Sequence, residues 1–143
     1  MPSILLFGAT GLVGSHLILD LKSSHPNCPI TLYLRNTNLD AYLTATASVA
    51  RIVHGTFDEV TKISSLAAEH DIIINVGSSW DVGLSEAIIS GLKKEKNGEG
   101  KVLIHMSGTG NWVDETWKDG ASHEGTKVWD VSLSLLVLFV NSD

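Results

Sequence analysis

One cysteine, Cys28, stands in a chain of 143 residues. That excludes an internal disulfide and any zinc site built on cysteines, and a lone thiol in an acidic chain suits a reducing compartment. Cationic residues are scarce as well. Ten Lys and Arg against sixteen Asp and Glu leave a formal net charge of −6, the wrong balance for a nucleic-acid partner, whose phosphates demand clustered cations. The one basic cluster, Lys93-Lys94-Glu95-Lys96, reads as a solvated helix end. No apolar run approaches the ~20 residues that a membrane-crossing helix needs, so no membrane partner is expected. Met1-Pro2-Ser3 has no basic region ahead of its short apolar run, so no secretory signal is expected and the cytoplasm is the expected location. His16, His25, His54, His70, His105 and His123 are scattered without a ligand spacing, which argues against a metal site. Gly-x-Ser-x-Gly is absent, and Ser107 has no His and Asp at a recognisable spacing, which argues against a serine hydrolase.

What is present is the composition of a folded domain, 43% apolar and 18% charged. The length points to one domain, and chains of this size bury about 68–70% of their unfolded surface. No repeat and no linker divides the chain. Ser3-Ile4-Leu5-Leu6-Phe7 is an apolar run closed by Gly8, the pattern of a strand buried on both faces. A helix is expected over residues 12–22, where Leu12, Val13, His16, Leu17, Ile18 and Leu21 recur at helical spacing; Ser23-Ser24-His25-Pro26 ends it. Ile30, Leu32 and Leu34 alternate in a second strand over residues 29–34. Residues 36–47 are polar and read as a loop or as a poorly formed helix. Arg51-Ile52-Val53-His54 is a third strand, stopped by Gly55. Asp58 is then placed to cap a helix running to about His70, with Val60, Ile63, Leu66 and Ala67 facing inward. Asp71-Ile72-Ile73-Ile74-Asn75-Val76-Gly77 is the clearest buried strand. After Ser78-Ser79-Trp80, Asp81 can cap a helix reaching Lys96. Asn97-Gly98-Glu99-Gly100 is a turn, and Lys101-Val102-Leu103-Ile104-His105-Met106 is a fifth strand. Strand and helix patterns alternate five times, which specifies an α/β domain with a mainly parallel sheet.

Gly8-Ala9-Thr10-Gly11-Leu12-Val13-Gly14 ends the first strand and opens the first helix. Three glycines at this spacing are a weak signal alone, since a plain β–α turn uses them too. The strand before and the helix after supply the context that a dinucleotide site requires. Gly8 permits the tight turn, Gly11 lets the backbone approach a pyrophosphate, and Gly14 lets the helix pack closely on the sheet. Thr10 adds a hydroxyl, and the free N–H groups of the first turn, at Leu12 and Val13, sit at the positive end of the helix dipole. Arg35 stands twenty-one residues after Gly14, at the end of the second strand. An acid there would bond a ribose 2′-OH and favour NAD. Arg35 instead offers a guanidinium to a 2′-phosphate, with Asn36 beside it, so NADP is favoured over NAD. The alternative is an ordinary surface arginine. Together these features specify a Rossmann-type, doubly wound α/β fold of five or six strands over residues 1–130.

The opening Ile-Leu-Leu-Phe-Gly-Ala-Thr-Gly-Leu-Val-Gly-Ser-His-Leu resembles the atypical and extended short-chain dehydrogenase/reductases, which include nucleoside-diphosphate-sugar epimerase-like and NmrA-like proteins. The resemblance runs from about residue 3 to 110. It implies that Gly77 and Ser78, at the end of the fourth strand, line the ribose and nicotinamide side of the cofactor. It makes Ser107, with Thr109 close behind, the candidate catalytic or substrate-binding hydroxyl, although a serine ending a strand is also an ordinary turn residue. Gly55-Thr56-Phe57-Asp58 occupies the place of the family's adenine-contacting Gly-Asp-hydrophobic segment. Thr56 stands where an acid is expected, and Phe57 is left to pack near the adenine.

The family's reductases pair a tyrosine with a lysine four residues later to move a proton at a carbonyl. Here Tyr33 lies within the second strand, Tyr42 is followed at the fourth position by Thr46, and Lys127 is preceded at that spacing by His123. No complete pair exists. Trp80, Trp112, Trp117 and Trp129 all follow the fourth strand, where they either pack or rim a substrate pocket. Residues 131–143 form an apolar tail, with the run Val-Ser-Leu-Ser-Leu-Leu-Val-Leu-Phe-Val at 131–140. It reads either as a sixth strand or, the favoured reading, as an unrelated end on a truncated chain, because the resemblance implies relatives that continue into a substrate-binding region. Three functions follow from the resemblance. One is an NADP-dependent oxidoreductase or epimerase acting on a small carbonyl or sugar-nucleotide substrate. The others are a non-catalytic NADP-binding regulator and an inactive fragment.

Overall fold

Short apolar runs become the middle of a sheet only when both of their faces are covered, and that condition organises this chain. A computed structural model describes residues 1–47, 49–93, 100–107 and, as a strand, 135–139. In chain order the elements are β1 (Ile4–Phe7), α1 (Leu12–Ser24), β2 (Ile30–Leu34), α2 (Asp40–Ala47) and β3 (Arg51–His54). They continue as α3 (Val60–Glu69), β4 (Ile72–Asn75), α4 (Val82–Leu92), β5 (Val102–Met106) and β6 (Leu135–Phe139).

The strands lie in the order β3-β2-β1-β4-β5-β6. The first five are parallel, with Ile4 of β1 beside Ile30 of β2 on one edge and Ile72 of β4 on the other. β6 runs antiparallel to β5, Val102 opposite Phe139 and Met106 opposite Leu135. Alternate side chains of β1 face opposite layers. Leu5 and Phe7 join Ile63, Leu66 and Ala67 of α3 and Leu84, Ile88 and Leu92 of α4. Ile4 and Leu6 join Ile18 of α1 and Leu43 and Ala47 of α2. The sheet is thus wound on both faces. Its order reverses between β1 and β4, and such a switch point opens a crevice beyond the carboxyl ends of the two strands.

Several local expectations are corrected. The polar stretch before β3 contains a regular helix, α2, because Asp40 meets Nε2 of His54 at 2.7 Å while Leu43 and Ala47 bury beneath it. All five residues of β2 are buried, not only the alternating aliphatics. Thr31 accepts this because its hydroxyl bonds Nε2 of His70 at 2.8 Å, and Nδ1 of His70 donates to the Leu66 carbonyl at 2.7 Å. Asp58 does not cap α3. Glu59 is the residue before the helix, its Oε1 accepts the Thr56 N–H at 2.9 Å, and the Val60 N–H goes to the Asp58 carbonyl. Val60 is exposed at the helix start rather than inward. Leu12 and Val13 are likewise exposed, because α1 first meets the sheet at Gly14 and Ile18.

Asp81 does cap α4, accepting the Leu84 N–H at 2.9 Å. α3 and α4 pack closely because Gly91 lacks a side chain: a Cβ there would stand 2.3 Å from the Ser64 carbonyl oxygen. The described helix ends at Leu92, and residues 94–99, with most of the basic cluster and the turn, lie outside the described residues. No helix among the described residues is long and apolar enough to cross a membrane.

Candidate functional site

The loop from β1 into α1 begins with a backbone only glycine adopts easily. Gly8 has φ +85°, and a Cβ on it would lie 2.5 Å from Cα of Gly77, so the ends of β1 and β4 touch here. A Cβ on Gly14 would lie 2.1 Å from the Gly8 carbonyl oxygen. Helix α1 therefore seats directly on the loop, and the Gly11 N–H closes it by donating to that same carbonyl at 3.0 Å. Gly11 precedes α1 and offers no side chain to its first-turn N–H groups. A Cβ there would meet only the Gly8 oxygen, at 3.3 Å, and would otherwise project into open space.

That space is a cleft of about 310 Å³ lined by Gly8, Thr10, Gly11, Tyr33, Leu34, Arg35, Asn36, Phe57, Val76 and Gly77. Seven of the residues singled out as cofactor contacts therefore meet in one place: Gly8, Thr10, Gly11, Arg35, Asn36, Phe57 and Gly77. Four do not line it. Leu12 and Val13 project at the start of α1, and Gly14 is buried beneath the loop. Ser78 turns its hydroxyl back to the chain, accepting the N–H groups of Trp80 at 3.3 Å and Asp81 at 3.2 Å. Tyr33, Leu34 and Val76 line the cleft without having been singled out. Their positions at the carboxyl ends of β2 and β4, beside Arg35 and Gly77, are the signal that finds them.

Arg35 lies over the Phe57 ring at 5.9 Å, within cation–π range, and no carboxylate among the described residues pairs with it. Phe57 in turn meets Phe7 edge-on at 6.4 Å, and Phe7 meets Tyr33 at 5.2 Å. The cleft thus has an aromatic floor reaching from the core to the guanidinium. Tyr33 donates its hydroxyl to the Thr56 carbonyl at 2.8 Å, and burial, aided by the negative charge of Glu59, pushes its pKa up to about 12. Its proton is held by the Thr56 carbonyl, and the raised pKa makes it a weaker acid than an ordinary tyrosine. Tyr42 lies on α2, in a separate groove between α1 and α2. Neither tyrosine is followed by a lysine at the fourth position, where Thr37 and Thr46 stand.

On the β4 side, fully buried Asn75 organises the loop. Its Oδ1 accepts the N–H groups of Gly77 at 3.1 Å and Ser78 at 3.4 Å. Its Nδ2 then faces the Ser78 carbonyl and Nδ1 of His105, each at 3.1 Å. Ser107 follows β5 at the same edge of the sheet, half-buried, and does not line the cleft. Thr109, Trp112, Trp117, His123, Lys127 and Trp129 lie outside the described residues.

Fold and cleft define the class: a Rossmann-type α/β domain with a Gly-rich crevice at the switch point of its sheet. No family model matches the chain. Among curated proteins it is 31% identical over 107 residues to oxidase UcsJ of an Acremonium species, an alignment covering 74% of this chain and 30% of that protein. The solved structure of ChuY, an anaerobillin reductase from Escherichia coli O157:H7, is 21% identical at a TM-score of 0.58, covering 82% of this chain and 59% of that one. A short-chain dehydrogenase/reductase from Veillonella parvula, solved in complex with NADP, gives 18% identity and a TM-score of 0.57 over 85% and 57% of the two chains. Triphenylmethane reductase of a Citrobacter species, complexed with NADP(H), gives 22% and 0.52 over 64% and 33%. These likenesses show the fold: the chain has the Rossmann-type α/β architecture found in these reductases. It spans about a third of the length of the curated relative and a third to three-fifths of these solved chains.

Proposed function

We propose that this chain is the NADP-binding unit of an oxidoreductase of the short-chain dehydrogenase/reductase type. The observation that carries the reading is the convergence of Arg35, unpaired by any described carboxylate, with the glycine loop in one cleft. Gly8 and Gly11 leave room for a pyrophosphate against the first-turn N–H groups of α1, including those at Leu12 and Val13. Gly14 supports them by seating the helix, and Arg35 and Asn36 are left to hold a 2′-phosphate. Phe57 and Gly77 flank the path of the dinucleotide, while Ser78 shapes the loop beside it. The cofactor, when bound, supplies hydride chemistry; the residues described here bind and orient it. Substrates of the small carbonyl or sugar-nucleotide kind fit the proposed class. The cytoplasm is the proposed location, from the lone thiol and acidic composition.

Calorimetric titration tests this directly. NADPH is expected to bind saturably and more tightly than NADH, and Arg35→Ala is expected to weaken NADPH about tenfold or more while leaving NADH nearly unchanged. Equal affinity for the two nucleotides sinks the assignment of Arg35.

A second reading is favoured by Tyr33, whose hydroxyl is bonded to the Thr56 carbonyl and whose pKa is raised, the opposite of the lowered pKa that a catalytic tyrosine needs. On that reading the chain binds NADP without turnover and signals its occupancy to a partner, in the manner of an NmrA-like regulator. Robust NADPH consumption with carbonyl substrates decides against it. An inactive fragment would bind neither nucleotide.

A further inference from the structure

Two neighbouring residues at the end of β3 hold both ends of one exposed loop. Residues 35–39, between β2 and α2, carry Arg35 and Asn36 at the cofactor cleft. All five are exposed and none is proline, so neither burial nor a stiffened backbone fixes their path. Hydrogen bonds at the two ends do so instead. At the near end the Leu34 carbonyl accepts the Gly55 N–H at 2.9 Å. At the far end Oδ2 of Asp40 accepts Nε2–H of His54 at 2.7 Å, and the Asp40 N–H turns back to the Thr37 carbonyl at 3.2 Å. A carboxylate oxygen only accepts, so the proton of the imidazole bond sits on Nε2.

The hold is itself anchored. His54 stands beside Leu34 in the β2–β3 register, its carbonyl accepts Nζ of Lys62 from α3, and Lys62 is tied to Glu59 at 2.9 Å. The loop is therefore fixed relative to the sheet and α3. Stability alone does not account for the pair. Oδ1 of Asp40 and Nδ1 of His54 are buried with no hydrogen-bond partner among the described residues. An unpaired buried polar atom is costly, and such departures concentrate where a ligand has to be positioned. A guanidinium also binds a phosphate best when its loop is ordered before the ligand arrives, because ordering the loop on binding subtracts from affinity. NADH, which lacks the 2′-phosphate, makes no such demand.

We propose that the Asp40–His54 hydrogen bond is the positioning element behind the preference for NADPH over NADH, acting by holding the far end of the loop that carries Arg35 and Asn36. Neither Asp40 nor His54 lines the cleft, so both act through the loop. This deepens the NADP reading and rests on it.

The test is calorimetric titration of NADPH and of NADH into the full chain, with the folded fraction checked by thermal unfolding. His54→Leu keeps the bulk and removes the donor, whereas His54→Gln places an amide donor at the reach of Nε2. NADPH is expected to bind about fivefold more weakly in His54→Leu, with NADH unchanged and most of the loss recovered in His54→Gln. In an Arg35→Ala background His54→Leu should have no further effect on either nucleotide, because the pair acts through Arg35. His54→Ala gives the same reading should His54→Leu not fold. Equal weakening of both nucleotides, a loss that persists undiminished in the Arg35→Ala background, or unchanged NADPH affinity would each overturn the proposal. A wild type that prefers NADPH through Arg35 but not through His54 overturns this inference alone. A wild type that binds the two nucleotides equally overturns the NADP reading, and the inference with it, so the two failures are distinguishable.

Discussion

At the scale of single residues, Tyr33 shows how position overrules residue type. A tyrosine near a cofactor cleft invites a role in proton transfer, but this one is buried, stacked 5.2 Å from Phe7 and bonded to the Thr56 carbonyl. Its neutral form is favoured both by burial and by the adjacent carboxylate of Glu59. The folded pKa is raised, so this contribution to stability is fully present below the ordinary tyrosine pKa of about 10 and is lost as pH rises through about 12. An alkaline absorbance titration should therefore contain a late component near 12 that disappears in Tyr33→Phe. Loss of the hydrogen bond should destabilise that variant by about 1 kcal/mol, measured by denaturant unfolding at neutral pH. Arg35 is the opposite case, exposed and with no described acid for a partner, and its replacement by Ala should register in nucleotide affinity rather than in melting temperature.

At the scale of elements, close approaches decide what the helices can do. Gly14→Ala places a methyl 2.1 Å from the Gly8 carbonyl oxygen, so α1 must lift from the loop. The expected outcome is a loss of NADPH affinity of tenfold or more together with a lowered melting temperature, read by calorimetry and thermal unfolding. Gly91→Ala sets a Cβ 2.3 Å from the Ser64 carbonyl and 2.7 Å from Cβ of Ala67, at the α3–α4 contact. That contact is away from the cleft, so about 1–3 kcal/mol of stability should be lost on denaturant unfolding with NADPH affinity per folded molecule retained. Asp81→Ala removes the α4 cap and should cost about 1 kcal/mol. Much of this level was legible in the sequence. The strand cores at residues 4–7, 51–54, 72–75 and 102–106 and the cap at Asp81 follow from apolar runs and local chemistry. The wrong cap at Asp58 and the uncertain α2 have different causes. Thr56 and Glu59 stand at the three-residue spacing of a capping box, a local signal that outranks Asp58, whereas His54 reaches Asp40 across fourteen residues, a choice that local propensity does not encode.

For the whole molecule, one carboxylate ties the amino end to the middle of the sheet. Asp71, just before β4, accepts the Ser3 N–H at 2.7 Å and its hydroxyl at 2.8 Å, and those two bonds hold its carboxyl below the usual carboxylate range. A lowered folded pKa contributes stability above the unfolded carboxylate pKa and loses it as pH falls through the folded value. Melting temperature should accordingly fall on acidification below about pH 4. Asp71→Asn should melt lower at pH 7 and fall less steeply, so that the two curves converge in acid. Parallel curves would show that the tie to Ser3 carries no pH dependence. By itself the sequence determined the alternation of strands and helices, the parallel sheet and the glycine loop, because these depend on periodicity and on backbone freedom within a few residues. Only the tertiary structure decided the rest. Parallel pairing of β1 with β2 and β4 brings Gly8, Arg35, Phe57 and Gly77 to one edge and buries Tyr33 in the wall of the same cleft. Contacts across tens of residues are set by register and by competition for burial, which no local pattern carries.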